Sequence, residues 1–422
     1  MKLASKCVHA GYTPQNGAPD VLPIYQSTAF RYESTDHVGD LFDLKDDGPF
    51  YTRLSNPTVN VVEAKIAELE GGVGALCTSS GMSATLLAVM NIVHAGEHVV
   101  STATIYGGTV NLFSVTFKKF GIDVTFVDAD APDEEIQKAF RPNTKLLFAE
   151  TISNPSIAVL DIERLANLAH RNGVPFMIDN TFATPVLCRP FEFGCDIVVH
   201  STSKYMDGHG VQLGGVIVDS GNFPWDNGNF PEFTVPDESY HGIVYTKTFG
   251  RQAYIVKARA QMIRDLGTAM TPVAAFLLNL GLETLPLRMK KHCENAEKVA
   301  AYLASRTDKI EFVNYPTLPG DKYHDLAEKY LPDGKSGVIA FSVKGGRERA
   351  AAFIDHLKMI SLLVHVADIR TCVLHPASST HRQLTDEQLV AAGITPGLIR
   401  LSCGVEDVED ILEDIEQALE KV

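Results

Sequence analysis

The stretch His200-Ser201-Thr202-Ser203-Lys204-Tyr205 follows the apolar run CDIVV and sets a lysine directly behind hydroxyl side chains. Three chemistries use such a grouping. The segment can be a polar loop with a solvated lysine. It can be the Ser-x-x-Lys pair of a serine acyl enzyme, with Ser201 as nucleophile. Or Lys204 can anchor a cofactor covalently, because a lysine amine with a lowered pKa condenses with a carbonyl. Ser201 and Ser203 would then hold the cofactor's phosphate. An acyl-enzyme motif normally opens a helix and is joined by Ser-Asp-Asn and Lys-Thr-Gly elements. Here it closes a strand-like run, and TKTFG is the nearest companion.

Other residues fall at similar places. CTSSGMSA sets Ser79, Ser80, Gly81 and Met82 between a strand-like and a helix-like segment. Free N–H groups at a helix start bind anions, and glycine permits close backbone approach; a plain strand-to-helix turn has the same composition. Asp179 ends the apolar run FMID. A buried carboxylate there needs a cation or several donors, although an Asx turn looks alike in sequence. Asn154, in ETISNPS, stands just beyond another strand, where Asn-Pro commonly marks a turn. GGVGALC precedes its strand and makes a poor dinucleotide fingerprint.

Alternating elements position these residues. From GALCTSS to GGVIVDS, short apolar strands alternate with amphipathic helical segments, the pattern of a largely parallel sheet covered on both faces. Ligands collect beyond the carboxyl ends of such strands. Residues 1–60 lack a sustained period and read as an arm over the surface or over a neighbouring subunit. A helix follows, with Asn56 as N-cap, Pro57 in its first turn and Gly71-Gly72 at its end. Residues 61–255 form the expected large domain, with an aromatic and proline-rich insertion at 220–246, and 256–422 a smaller α/β domain. A long helix is expected from Arg251 towards Leu285.

The chain has 422 residues, 45 % hydrophobic and 21 % charged, enough to bury a large core in two domains. Its 52 acidic against 37 basic residues give a net charge of −15, which disfavours nucleic acid and anionic membranes. Seven scattered cysteines without Cys-x-x-Cys argue against a disulfide framework or a zinc site. His375 and His381 have no accompanying ligand cluster and read as structural, so no metal is expected. The opening MKLASKCVHAGYTPQ lacks an apolar signal core, and no run is long enough to span a membrane. The expectation is a soluble cytoplasmic protein.

Taken together and in order, YTRLSNPT, SSGMSA, IYGGT, SNP, IDNTFATP, HSTSKY, HPASSTH and IRLSCGVE resemble the pyridoxal-phosphate enzymes of cysteine and methionine metabolism. The match runs over nearly the whole chain. It implies the aspartate-aminotransferase-like fold (fold type I): a mostly parallel seven-stranded sheet plus a C-terminal α/β domain, assembled as a homotetramer of tight dimers. By the same resemblance, Lys204 carries pyridoxal 5'-phosphate as a Schiff base and moves protons between substrate carbons. Asp179 keeps the pyridine nitrogen protonated and Tyr106 stacks on the ring. Gly81, Met82, Ser201 and Ser203 bind the phosphate, and Tyr51 and Arg53 reach the phosphate of a neighbouring subunit. Arg400 clamps the substrate carboxylate, with Asn154 assisting.

Within the family, the 220–246 insertion, Gly108 in IYGGTVNLF, and the HPASSTHRQL and GITPGLIRLSCGVE segments resemble the O-acetylhomoserine sulfhydrylase branch. The implied reaction takes O-acetyl-L-homoserine and sulfide, or methanethiol, to L-homocysteine, or L-methionine, and acetate. Methionine γ-lyase and cystathionine γ-synthase are the alternatives. One segment departs from the family: LVHVADIRTCVLHP carries His365 and Ala367 where NVGDAKTL-type sequences have Asn and Gly. His365 is either a substrate contact or structural.

Overall fold

The computed structural model describes residues 1–379, 382, 385 and 395–422; His381 lies outside them. Seven strands build the large sheet: β1 (Gly74–Thr78), β2 (His98–Thr102), β3 (Asp123–Val127), β4 (Thr144–Glu150), β5 (Phe176–Asp179), β6 (Ile197–Ser201) and β7 (Gly215–Asp219). Their order is β1-β7-β6-β5-β4-β2-β3. Only β7 runs against its neighbours, while β2 to β6 pair in parallel. The carboxyl ends of β1, β2, β4, β5 and β6 therefore share one edge.

Period-2 alternation places the side chains in two cores, one on each face. Phe148, Met177 and Val199 face one cluster; Leu147, Ile178 and Val198 face the other. All six are fully buried, and each contributes roughly 1.5–3 kcal/mol relative to exposure. That double coverage explains why these strands read as continuous apolar runs.

A second sheet contains β8 (Ile310–Asn314), β9 (Val338–Val343), β10 (Ser361–Leu362), β11 (Cys372–Leu374) and β12 (Leu398–Ser402), in the order β10-β11-β12-β9-β8. Ile399 and Leu401 enter the core of this sheet and its helices, whereas Leu398 joins the core shared with the large sheet. By the same alternation Arg400 leaves the small core and faces the large sheet.

The helix Pro57–Glu70 forms as its caps predict: the Asn56 side chain accepts from Thr58 N–H, and Gly71 closes it at φ 81. The N-terminal arm is less extended than expected, since Leu3–His9 is helical and Cys7 is fully buried in the main core.

The single long helix expected after Arg251 is not formed. Short turns to Leu266 are stopped by Gly267 at φ 74. Ala269 then bridges to Thr78 at the end of β1, and a new helix, Pro272–Glu283, starts at the Thr271 cap. The Thr-Pro pair is a local start signal that the apolar period obscures. The 220–246 insertion packs onto the large domain through Trp225, which stacks on Phe233 at 4.5 Å and on Tyr254 at 5.2 Å. No helix among the described residues is long and apolar enough to cross a membrane.

Candidate active site

The candidate residues other than Tyr51 and Arg53 gather about the shared strand edge. Asp179 is the last residue of β5, and Lys204 lies in the turn after β6. Asp179 Oδ1 accepts from both the N–H (3.0 Å) and the hydroxyl (2.5 Å) of Thr181. No donor among the described residues meets Oδ2. The Asx turn and the free carboxylate oxygen thus coexist. Burial pushes the Asp179 carboxyl up, against the Thr181 bonds and the positive potential of His200. The Thr181 oxygen also accepts the Ser201 N–H at 2.9 Å, tying β5 to β6. Thr181 was not singled out from sequence; its place two residues after a strand-end Asp was the available signal.

Gly81 and Met82 open the helix Gly81–Met90, whose Ser80 cap accepts from Ser83 N–H. The Gly81 and Met82 N–H groups meet no acceptor among the described residues. A Cβ on Gly81 would stand 2.6 Å from Ser201 Cβ, so only glycine permits this approach. Two free helix-start N–H groups beside the Ser201 hydroxyl form an anion cradle. Ser203 differs from expectation in orientation: its hydroxyl accepts from Gly214 N–H at 2.9 Å and lies 3.3 Å from Gly214 O. As placed, it braces the turn.

The Lys204 amine is half-buried and lies 3.2 Å from His365 Nδ1. Burial first, then the Arg400 charge, brings its pKa down to about 8. Such an amine is nucleophilic near neutral pH. Arg400 is buried; its guanidinium donates to Asn154 Oδ1 (3.3 Å) and to the Val364 and His365 carbonyls (3.3 and 3.2 Å). Arg400 and Asn154 therefore meet across 246 positions of chain.

Tyr106 stands just beyond β2 and is 47 % exposed, available to cover a planar ligand. Its N–H donates to Glu150 Oε1 at 2.6 Å, and Glu150 also accepts from the Asn154 backbone. Glu150, the last residue of β4, was missed although it obeys the same strand-end rule as Asp179. A Cβ on Gly108 would meet the Tyr106 ring at 2.4 Å, so glycine fits the ring's position.

Among the described residues, Tyr51 and Arg53 meet each other and share no hydrogen bond with Lys204. The Arg53 guanidinium sits 5.3 Å from the Tyr51 ring centroid and donates to the Arg264 carbonyl. Both line a surface pocket of about 270 Å³ with Gln26, Thr28, Met270 and Thr271, which contains neither Lys204 nor Asp179. Among the described residues no cluster of three or more His, Cys, Asp or Glu could hold a metal; His375 bonds the Pro396 carbonyl at 2.8 Å.

The site fits pyridoxal phosphate. An amine of lowered pKa, a strand-end carboxylate with an open oxygen and a glycine-lined cradle match the aldehyde, pyridine nitrogen and phosphate. Comparisons with known proteins agree. An O-acetyl-L-homoserine sulfhydrylase from Leptospira meyeri is 46 % identical over 98 % of this chain and 96 % of its own. A homocysteine/cysteine synthase from Kluyveromyces lactis is 44 % identical over the same shares. A crystal structure named as an O-acetylhomoserine (thiol)-lyase from Campylobacter jejuni, with a pyridoxyl-lysine monophosphate, superposes with a TM-score of 0.96 at 39 % identity, covering 100 % of both chains. The profile of the Cys/Met metabolism PLP-dependent enzymes matches residues 4–420, and the chain belongs to that family.

Proposed function

We propose that the protein catalyses γ-replacement on O-acetyl-L-homoserine, with sulfide or methanethiol entering and acetate leaving. The observation that carries the reading is the meeting of Lys204, Asp179 and the Gly81–Ser201 cradle at one sheet edge. The substrate follows the names borne by full-length relatives.

When bound, pyridoxal phosphate supplies an aldehyde for amino groups and a ring that withdraws electrons from the substrate's α-carbon. Asp179 Oδ2 accepts the pyridine N–H and holds that proton in place. Gly81, Met82 and Ser201 bind the phosphate, with Ser203 bracing the turn beside it. The Tyr106 ring covers one face. Arg400 binds the substrate carboxylate in bidentate fashion, oriented by Asn154. Lys204 would supply the amine that takes the substrate's α-proton and moves protons at its β-carbon, the chemistry that lets the γ-acetoxy group depart.

The assembly proposed is a homotetramer, a dimer of dimers in the cytoplasm. Tyr51 and Arg53 then serve a neighbouring copy's phosphate, a reading supported by their exposure and by the pocket they line, which excludes the chain's own Lys204.

The test is a substrate panel: O-acetyl-L-homoserine with sulfide, with methanethiol and with cysteine, and L-methionine alone. Homocysteine and acetate as dominant products support the reading. Dominant 2-oxobutyrate from methionine makes the protein a γ-lyase, and dominant cystathionine a γ-synthase.

A further inference from the structure

We infer that His365, the residue that departs from the family's usual Asn, is a proton acceptor for the Lys204 amine. The inference rests on the reading of Lys204 as the covalent anchor. Lys204 Nζ lies 3.2 Å from His365 Nδ1. An ammonium only donates, so Nδ1 must be the bare nitrogen and Nε2 must carry the ring proton. Nε2 is buried without a hydrogen-bond partner and faces Asp368 Oδ2 at 3.6 Å, an ion-pair separation. Asp368 is itself buried and held through Oδ1 by the Arg370 N–H and guanidinium, both at 2.9 Å. A fixed carboxylate is therefore aimed at the far side of an imidazole whose near side touches the reactive amine.

The imidazole is held in place. Its backbone carbonyl accepts from Arg400 at 3.2 Å and from the Cys372 thiol at 3.5 Å. The charged groups facing it are Lys204 and Arg400, which oppose a charge on the ring, and Asp368 and Asp207, which favour one. Burial and the two cations keep it neutral at rest, ready to accept.

The step balances. One Nζ–H bond of the ammonium breaks, its proton passes to Nδ1, and the bonding pair remains on Nζ as the nucleophile. Asp368 stabilises the imidazolium while Nζ attacks the carbonyl. The imidazolium then returns its proton to the carbonyl oxygen, giving a hydroxyl. A second proton, lost from Nζ once it is bonded to carbon, passes to that hydroxyl, the C–O bond breaks as C=N forms, and water leaves.

This assigns His365 a role where the amine is still charged, and the pH dependence distinguishes it from packing. The experiment measures the rate at which apoprotein forms a Schiff base with pyridoxal phosphate between pH 6 and pH 10. It is read by visible absorbance and by the mass of the borohydride-fixed Lys204 peptide, in wild type, His365→Gln and His365→Asn. Both replacements are polar and close to histidine in size but carry no nitrogen that takes up a proton, and far-UV circular dichroism checks that each variant keeps the fold. Both variants should be slower by about tenfold or more at pH 7. The gap should close above pH 9, where the amine is already free, since its pKa is about 8. A ratio constant across pH, or no slowing, overturns the inference and leaves the anchor intact. Absence of any Schiff base at Lys204 in wild type overturns the anchor and the inference together.

Discussion

Glu150 and Asp179 stand in register at the adjacent ends of β4 and β5, two carboxyls that burial pushes up together. Burial, and then the charge of Asp179, pushes Glu150 well above the ordinary carboxylate range. The shift favours the protonated form of Glu150, which spares Asp179 a second negative charge beside it. Its oxygens meanwhile fix Tyr106 and Asn154 through their backbones.

Replacing Glu150 tests that division. Glu150→Gln keeps an acceptor and the neutral form that the shift favours, and should stay within about tenfold of wild-type kcat/KM, about 1.4 kcal/mol. Glu150→Ala leaves two N–H groups unpaired, at about 1–3 kcal/mol each, and should raise KM as Tyr106 and Asn154 loosen. The sign with pH is also set. Because the folded pKa lies above the unfolded one, wild-type stability from this group is present at low pH and falls as pH rises above 4.5 towards the raised value. The Gln variant lacks that fall. Urea titrations of both across pH check it.

Lys204, the proposed anchor, is held at a cost to stability. Its folded pKa of about 8 lies below the unfolded 10.5, so the folded apoprotein sheds the proton first and gains stability as pH rises between those values. Lys204→Met apoprotein should exceed wild type by on the order of 1–3 kcal/mol at pH 6. The advantage should fade as pH rises through that window. Thermal or urea unfolding of apoprotein decides it, and a destabilised Met variant at pH 6 contradicts it.

Ala367 occupies the left-handed region at φ 64, with its N–H on the Ser402 hydroxyl at 2.9 Å. Non-glycine residues pay about 1–2 kcal/mol there, and glycine's greater unfolded-state entropy offsets part of the gain. Ala367→Gly should therefore raise unfolding stability by up to about 1 kcal/mol. A loss of stability on urea unfolding would mean the backbone there is not strained.

Arg400→Ala should raise KM for O-acetyl-L-homoserine by about a hundredfold, the equivalent of one or two charge-assisted hydrogen bonds at about 1.5–3 kcal/mol each. Arg400→Lys should recover little of it, because a point charge cannot hold both carboxylate oxygens and Asn154. Steady-state kinetics separate KM from kcat; an unchanged KM in the Ala variant removes Arg400 from the carboxylate site.

Local rules made much of this protein legible. Hydrophobic period and caps located the Pro57 helix and the run of strands, and the strand-end rule singled out Asp179 and Lys204. The resemblance then assembled scattered motifs into one site. Those signals are short-range: a backbone period of two or 3.6, or a side chain capping its own helix, is decided within a few residues. Other features needed the fold. Whether the Ser203 hydroxyl turns to a ligand or to Gly214, and whether the chain after Arg251 continues or breaks at Gly267 so that Ala269 can pair with Thr78, depend on what packs alongside. The junctions of Arg400 with Asn154 and of His365 with Lys204 span 246 and 161 positions. They exist because the second sheet presents one face of β12 and the loop before β11 to the strand edge of the first. No local pattern encodes that meeting; the burial of two apolar sheet faces against shared helices brings it about.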